Sequence, residues 1–194
     1  MKNKNKYLFL VVIGGRVPKA NIEIHDVRWV VGSTIKETFD VLRKDWIGSK
    51  DGLHIDSYKK IVSVDGYNVN LKKKETIKKD NIGFKKKIKT TKKLWFVNLG
   101  GYDPSSMQEK HEFGFVVASN ALKAKNIAKS KWLIGLKKRH KDDIAYLKIF
   151  KDVDNCEIIK NVGIWEIELS LDDGFVNETQ IPDWYGYMRI DKAN

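Results

Sequence analysis

The sequence predicts an α+β protein built by tandem duplication of a β-β-α-β-β unit, with largely antiparallel sheets, each covered by one helix, and a pseudo-twofold relation between the copies. Three observations carry this. First, the chain registers with itself at an offset of 86: LFLVVIGGRVPKANIEIHDVRWVVGS from Leu8 lies over LWFVNLGGYDPSSMQEKHEFGFVVAS from Leu94, and thirteen of the 49 positions from Leu8 to Asp56 are identical. About three would be expected from average residue usage. Second, each copy carries apolar runs of strand length followed by a segment of helical period. Third, Asp65-Gly66 stands between two alternating runs, the sequence signature of a tight hairpin.

The elements follow in order. Leu8 to Ile13 is apolar on both faces, which suits a central strand that Gly14-Gly15 should break. A second strand spans about Asp26 to Val31. Thr34 with Glu37 reads as a capping box, and Ile35, Phe39, Leu42 and Trp46 fall at helical spacing, predicting an amphipathic helix over 34–48. Ser119 should open its counterpart, from about Ala121 to Leu136, with Ala124, Ala128 and Trp132 facing inward. Two strands, Ile55 to Val64 and Tyr67 to Leu71, close the first unit. After Asp56 and Asp142 the copies slip by twelve residues, placing a longer loop around Lys151 to Asn155, and then Tyr67, Val69 and Leu71 match Trp165, Ile167 and Leu169. The predicted organisation is a first unit over 1–71, a lysine-rich linker over 72–93, a second unit over 94–170, and a tail over 171–194 whose aromatics dock on the second unit.

Composition narrows the class. With 194 residues, 42% of them hydrophobic and 32% charged, the chain can hide roughly 70% of its unfolded surface without covalent help. The single cysteine, Cys156, permits no internal disulfide, fits a reducing, cytoplasmic setting, and lacks the basic neighbours of an activated thiol. The net charge of +12 is parked rather than spread: residues 72–93 hold eleven lysines against Glu75 and Asp80, and Lys2, Lys4 and Lys6 supply the remainder. Lysine dominates arginine, and Phe84 is the one aromatic in the basic stretch. A reader of nucleic acid needs a basic face on the folded part, so the stretch reads as a solvated tether and nucleic acid is not the expected partner. The run YLFLVVI near the start is too short to cross a bilayer and reads as a strand rather than a secretion signal, so no membrane association is expected.

One constellation could carry chemistry. Glu23-x-His25-Asp26 with His54-x-Asp56 recurs as Glu109-x-His111-Glu112 with His140-x-Asp142, accounting for all four histidines. Imidazole beside carboxylate is the material of acid-base catalysis and of metal sites, because the acid fixes the tautomer and raises ring basicity. Residues i and i+2 of a strand share a face, so His54 and Asp56 could converge, as could Glu23 and His25, while His25 and Asp26 should point apart. The spacing matches no recognised zinc pattern, so no metal or other cofactor is predicted. A plainer role is a lock, each histidine bonding a carbonyl or acid to hold the Gly15-to-Asp26 connection. Geometry separates the two: imidazoles sharing acids in an open pocket favour function, and imidazoles apart and enclosed favour a lock.

The strings LFLVVIGG, ANIEIHDVRWVVG, LHIDSY and VDGY in the first copy, with FVNLGGY and His111-Glu112 in the second, resemble a bacterial family of domains of unknown function, number 1543, found in one or two copies per chain. The likeness covers most of residues 7–170. It implies a bacterial, cytosolic protein and carries no activity, substrate, cofactor or catalytic residue to any position. The leading expectation is therefore a non-catalytic module that binds a small ligand or a protein, either between the units or near the loops from Gly15 to Asp26 and from Gly101 to Glu112. The alternative is an acid-base or metal-assisted enzyme using His25, Asp26, His54 and Asp56 or their counterparts. Nucleic-acid binding through residues 72–93 ranks below both.

Overall fold

The computed structural model describes residues 5–74, 91–103, 105–132, 134, 138–139, 156–174 and 180–192. They form two compact units, one of residues 1–78 with 161–194 and the other of residues 79–160. The architecture is α+β, and the ladders between described strands are antiparallel.

In the first unit, β1 (Tyr7–Gly15) is flanked by β2 (Ile24–Gly32) and β3 (His54–Ile61). Its interior position explains the unbroken apolar run, because a strand hydrogen-bonded on both sides and covered on both faces has no solvent-facing residues to spare for polar side chains. The other elements are a short helix α1 (Phe39–Asp45), β4 (Ser63–Val64), β5 (Tyr67–Lys73), and, from the far end of the chain, β10 (Asn161–Val162), β11 (Trp165–Leu171) and β12 (Trp184–Arg189). One sheet runs β12-β3-β1-β2. The helical segment covers its inner face, where Ile35, Phe39, Leu42 and Trp46 pack with Phe9, Val11, Ile13, Val30, Ile55 and Ile190.

The predicted helix over 34–48 is shorter and tighter than its period suggests. A 3-10 turn at Ile35–Thr38 leads into α1, and Trp46 is already extended. Thr34 does not cap through its side chain. Instead the Glu37 carboxylate accepts the Ser33 N–H at 2.8 Å and the Lys6 ammonium at 2.7 Å, so half of the capping box survives, shifted by one residue. Asp65 and Gly66 join β4 to β5 with φ of 51° and 79°, the left-handed pair a two-residue primed turn requires.

Two expectations about the far end of the chain are corrected. The tail does not dock on the second unit: β12 pairs with β3, and Trp184, Met188 and Ile190 join the first core. The hairpin β10–β11 also belongs to the first unit, where β11 pairs with β5 to give a sheet in the order β10-β11-β5-β4. The tail aromatics follow the open edge of β3, whose backbone groups need partners. Repeat boundaries and compact units therefore do not coincide.

In the second unit, β6 (Lys93–Tyr102) pairs with β7 (Lys110–Ala118), β8 (Lys138–Arg139) and β9 (Cys156–Ile158). The helix α2 (Ala121–Lys131) is capped by Asn120, whose side chain accepts the Lys123 N–H at 2.9 Å, one residue later than the predicted Ser119. It ends at Lys131 rather than Leu136. Ala124 and Ala128 are fully buried against Trp95, Val97 and Val116, small side chains that let the helix sit close to the sheet. Cys156 is a buried strand residue in the same core, as its surroundings in sequence imply. The lysine-rich stretch from 75 to 90 and the loop around Lys151 to Asn155 lie outside the described residues. Among the described residues, no helix is long and apolar enough to cross a membrane.

Candidate functional site

The site grows from one transverse row of the first sheet. Gly14 pairs with His25 on one side and with His54 on the other. The pair Gly14-Gly15 was expected to break the strand; instead it stays in the ladder, and its missing side chains make room. A Cβ on Gly14 would lie 2.7 Å from His54 Nε2 and 2.8 Å from His25 Cδ2. Strands two apart are separated by about 9.5 Å. Across that gap the two imidazoles lean over the glycine until their ring centres are 6.3 Å apart.

Asp56, two residues after His54, joins the same place and sits at a defect in the sheet. On the β1 side the register shifts between Val12 and Ile13, so that Ser57 and Ile55 are paired and Asp56 is passed over. On the β12 side it shifts between Tyr185 and Met188, leaving Gly186 and Tyr187 opposite Asp56. Both ladders therefore bulge at this one residue. Ile55 and Tyr58 can then both face the core, while Asp56 stays on the histidine side. Its Oδ2 lies 3.1 Å from His25 Nε2 and its Oδ1 3.2 Å from His54 Nε2. Tyr187, freed by the same bulge, lays its ring over His54 with 4.2 Å between centres.

Burial divides the four groups. The His54 side chain is 1% exposed, against 31% for Asp56, 49% for His25 and 46% for Glu23. His54 Nδ1 lies 2.9 Å from the Gly52 carbonyl oxygen, an acceptor only, so this ring nitrogen carries the proton and donates. The loop presenting that carbonyl is itself tied down: the Gly52 N–H donates to Asp191 Oδ2 at 3.1 Å, and Asp191 pairs with Arg189. The Arg189 hydrogen bond holds the Asp191 carboxyl at about 2, with the Gly52 N–H adding to it, and the same contact raises the Arg189 guanidinium.

With Nδ1 protonated, a neutral His54 turns the Nε2 lone pair toward a carboxylate oxygen, and lone pair against lone pair is repulsive. A proton shared between the ring and the carboxylate, or a metal ion between them, relieves that repulsion. One donor atom from each of Glu23, His25 and His54 lies within 4.8 Å of the others, and Glu23 Oε1 is 3.5 Å from His25 Nε2. Imidazole with carboxylate, the far ring nitrogen fixed by a carbonyl, is the ligand chemistry of zinc and its divalent neighbours.

Other sequence-predicted residues fall elsewhere. Asp26 turns away, accepting the Val27 N–H at 2.7 Å and pairing with Arg28. In the second unit Gly100 stands opposite His111, and a Cβ there would collide with the Glu109 carboxylate. His111 Nε2 is 3.4 Å from Glu109 Oε2, repeating the Glu23–His25 contact. Glu112 is the next residue of β7, opposite Leu99. His140 and Asp142 lie outside the described residues. Sequence reasoning missed Gly14, Gly52 and Tyr187. Gly14 alone left a signal, being matched in the repeat by Gly100 just as the histidines are matched.

The fold and this row of side chains define a duplicated α+β protein with a histidine–carboxylate cluster on the outer face of its first sheet. The family model described as Domain of Unknown Function (DUF1543) matches residues 20–71 and 106–158, one segment per copy, and the chain belongs to that family. It is similar to a solved structure described as the crystal structure of a protein Il1583 from Idiomarina loihiensis, at 29% identity over 96% of this chain and 98% of that one, with a TM-score of 0.66. No curated protein matches the chain.

Proposed function

We propose that the chain is a binding module whose first unit takes a divalent transition-metal cation between His25, His54, Asp56 and Glu23. The observation that carries this reading is the His54 ring, held at Nδ1 by the Gly52 carbonyl while its Nε2 faces the same carboxylate as His25 Nε2. Burying a polar ring in that orientation is favourable when a cation completes it. The position agrees with one of the two places considered for a ligand, beside the loop between Gly15 and Asp26. The absence of a recognised zinc spacing does not count against it, since the donors come from two non-adjacent segments joined only through the sheet.

The test is titration of metal-free full-length protein with zinc, followed by calorimetry. The wild type should bind at least one equivalent, and His25→Ala should lose one equivalent while unfolding at an unchanged temperature. Identical zinc binding by His25→Ala and wild type would leave the histidines as a structural lock.

A further inference from the structure

We infer that Glu23 is the exchangeable ligand of this site, and that an ion held there takes up a small carboxylate or similar oxyanion in its place. The inference rests on the cation reading above and concerns how such a site is used.

Three of the four groups are fixed by the sheet. His54 is enclosed, pinned through Nδ1 and covered by Tyr187. Asp56 is set by the coincident bulges in both flanking ladders. His25 lies within β2, opposite Gly14. Glu23 differs: it precedes β2, outside any ladder, and its half-exposed carboxylate meets His25 at 3.5 Å, a longer approach than either Asp56 contact. A long side chain on irregular backbone loses more rotamer freedom on being held than one built into a strand, so Glu23 is the group that releases at least cost.

Charge points the same way. A divalent ion with two neutral imidazoles and the Asp56 carboxylate keeps one net positive charge, which Glu23 neutralises when it closes on the site. When Glu23 swings out, that charge attracts another anion into the vacated position. Closed tetrahedral sets belong to structural ions, and three protein ligands with one exchangeable position belong to ions that bind or process a ligand. The exposed Tyr187 ring beside His54 offers a flat apolar surface against which the rest of such a ligand can lie.

Cobalt(II) is the probe, because its visible absorption reports both binding and a change of ligand. Full-length wild type, Glu23→Gln and His25→Ala are titrated with cobalt, and each loaded protein is then titrated with acetate, with perchlorate at equal ionic strength as control. The expected result is a cobalt band in wild type and in Glu23→Gln, with affinity in the variant reduced about tenfold or less, and loss of the band in His25→Ala. Acetate should alter the band where perchlorate does not, and at lower concentration in Glu23→Gln, where no carboxylate competes. Loss of cobalt from Glu23→Gln as complete as from His25→Ala, or a band indifferent to acetate in both proteins, overturns the inference while leaving the cation reading standing. A wild type that gives no cobalt band removes both.

Discussion

Gly14 lies directly opposite His25 in the β1–β2 ladder, and the space above its Cα is filled by the His25 ring from one side and the His54 ring from the other. A backbone position thus decides whether two imidazoles can meet.

Gly14→Ala should therefore act on the cluster before it acts on the fold. The added methyl would meet His54 Nε2 at 2.7 Å and must push aside a ring that is enclosed. A cost of about 1–3 kcal/mol in chemical denaturation is expected, as for overpacking in a well-filled interior. Zinc binding should fall more steeply than stability does. A variant of wild-type stability and wild-type zinc affinity would show that the glycine is not holding the rings together.

Asp191→Asn should loosen the site without touching it. Asp191 holds the Gly52 N–H, and Gly52 in turn orients His54. Groups bonded directly to a metal ligand are worth about 10–100-fold in affinity, and Asp191 acts one step further back through Gly52, so a loss of about tenfold or less is expected. Calorimetric titration with zinc reads this directly, and Asp191→Glu, which can restore the pairing with Arg189, should recover part of it.

Glu37→Gln should change the response to acid. The Lys6 side chain, then the Ser33 N–H, hold the Glu37 carboxyl at about 2 instead of its ordinary 4.5. A carboxyl depressed in the folded state binds its proton more readily when the chain unfolds. Its contribution is therefore present in full above about pH 4.5 and is lost as pH falls toward 2. Thermal unfolding followed between pH 6 and 2.5 should show wild type losing more of its margin than the variant does, with salt narrowing the difference because the pair is exposed.

The duplication, the class of the fold and the inner faces of both helices were legible in the sequence because they depend on local period and on self-comparison. Ile35, Phe39 and Leu42 announced their face, and Ala124 with Ala128 announced theirs. Other features depend on pairings between distant segments. No local pattern tells β12 to choose the edge of β3, or β11 to choose β5. The bulge at Asp56 was hidden for a related reason: simple alternation already put His54 and Asp56 on one face, and nothing in the residue order marks that both flanking strands must lose register to keep Tyr58 in the core. Gly14-Gly15 was misread because glycine in a strand signals a break or a close approach with equal force, and the histidines that approach come from two other strands.

The sheet β10-β11-β5-β4 carries a record of its own. Ser63, Val64, Tyr67 and Asn68 pair among themselves as their repeat equivalents Asn161, Val162, Trp165 and Glu166 do. At the seam, Asn70 meets its own equivalent, Glu168, with Leu71 opposite Ile167 on one side and Val69 opposite Leu169 on the other. That is the handshake two separate copies of one chain would make across a dyad. Once both hands belong to the same polypeptide, the encounter no longer depends on dilution, and each hairpin is free to diverge without waiting for a matching change in a stranger.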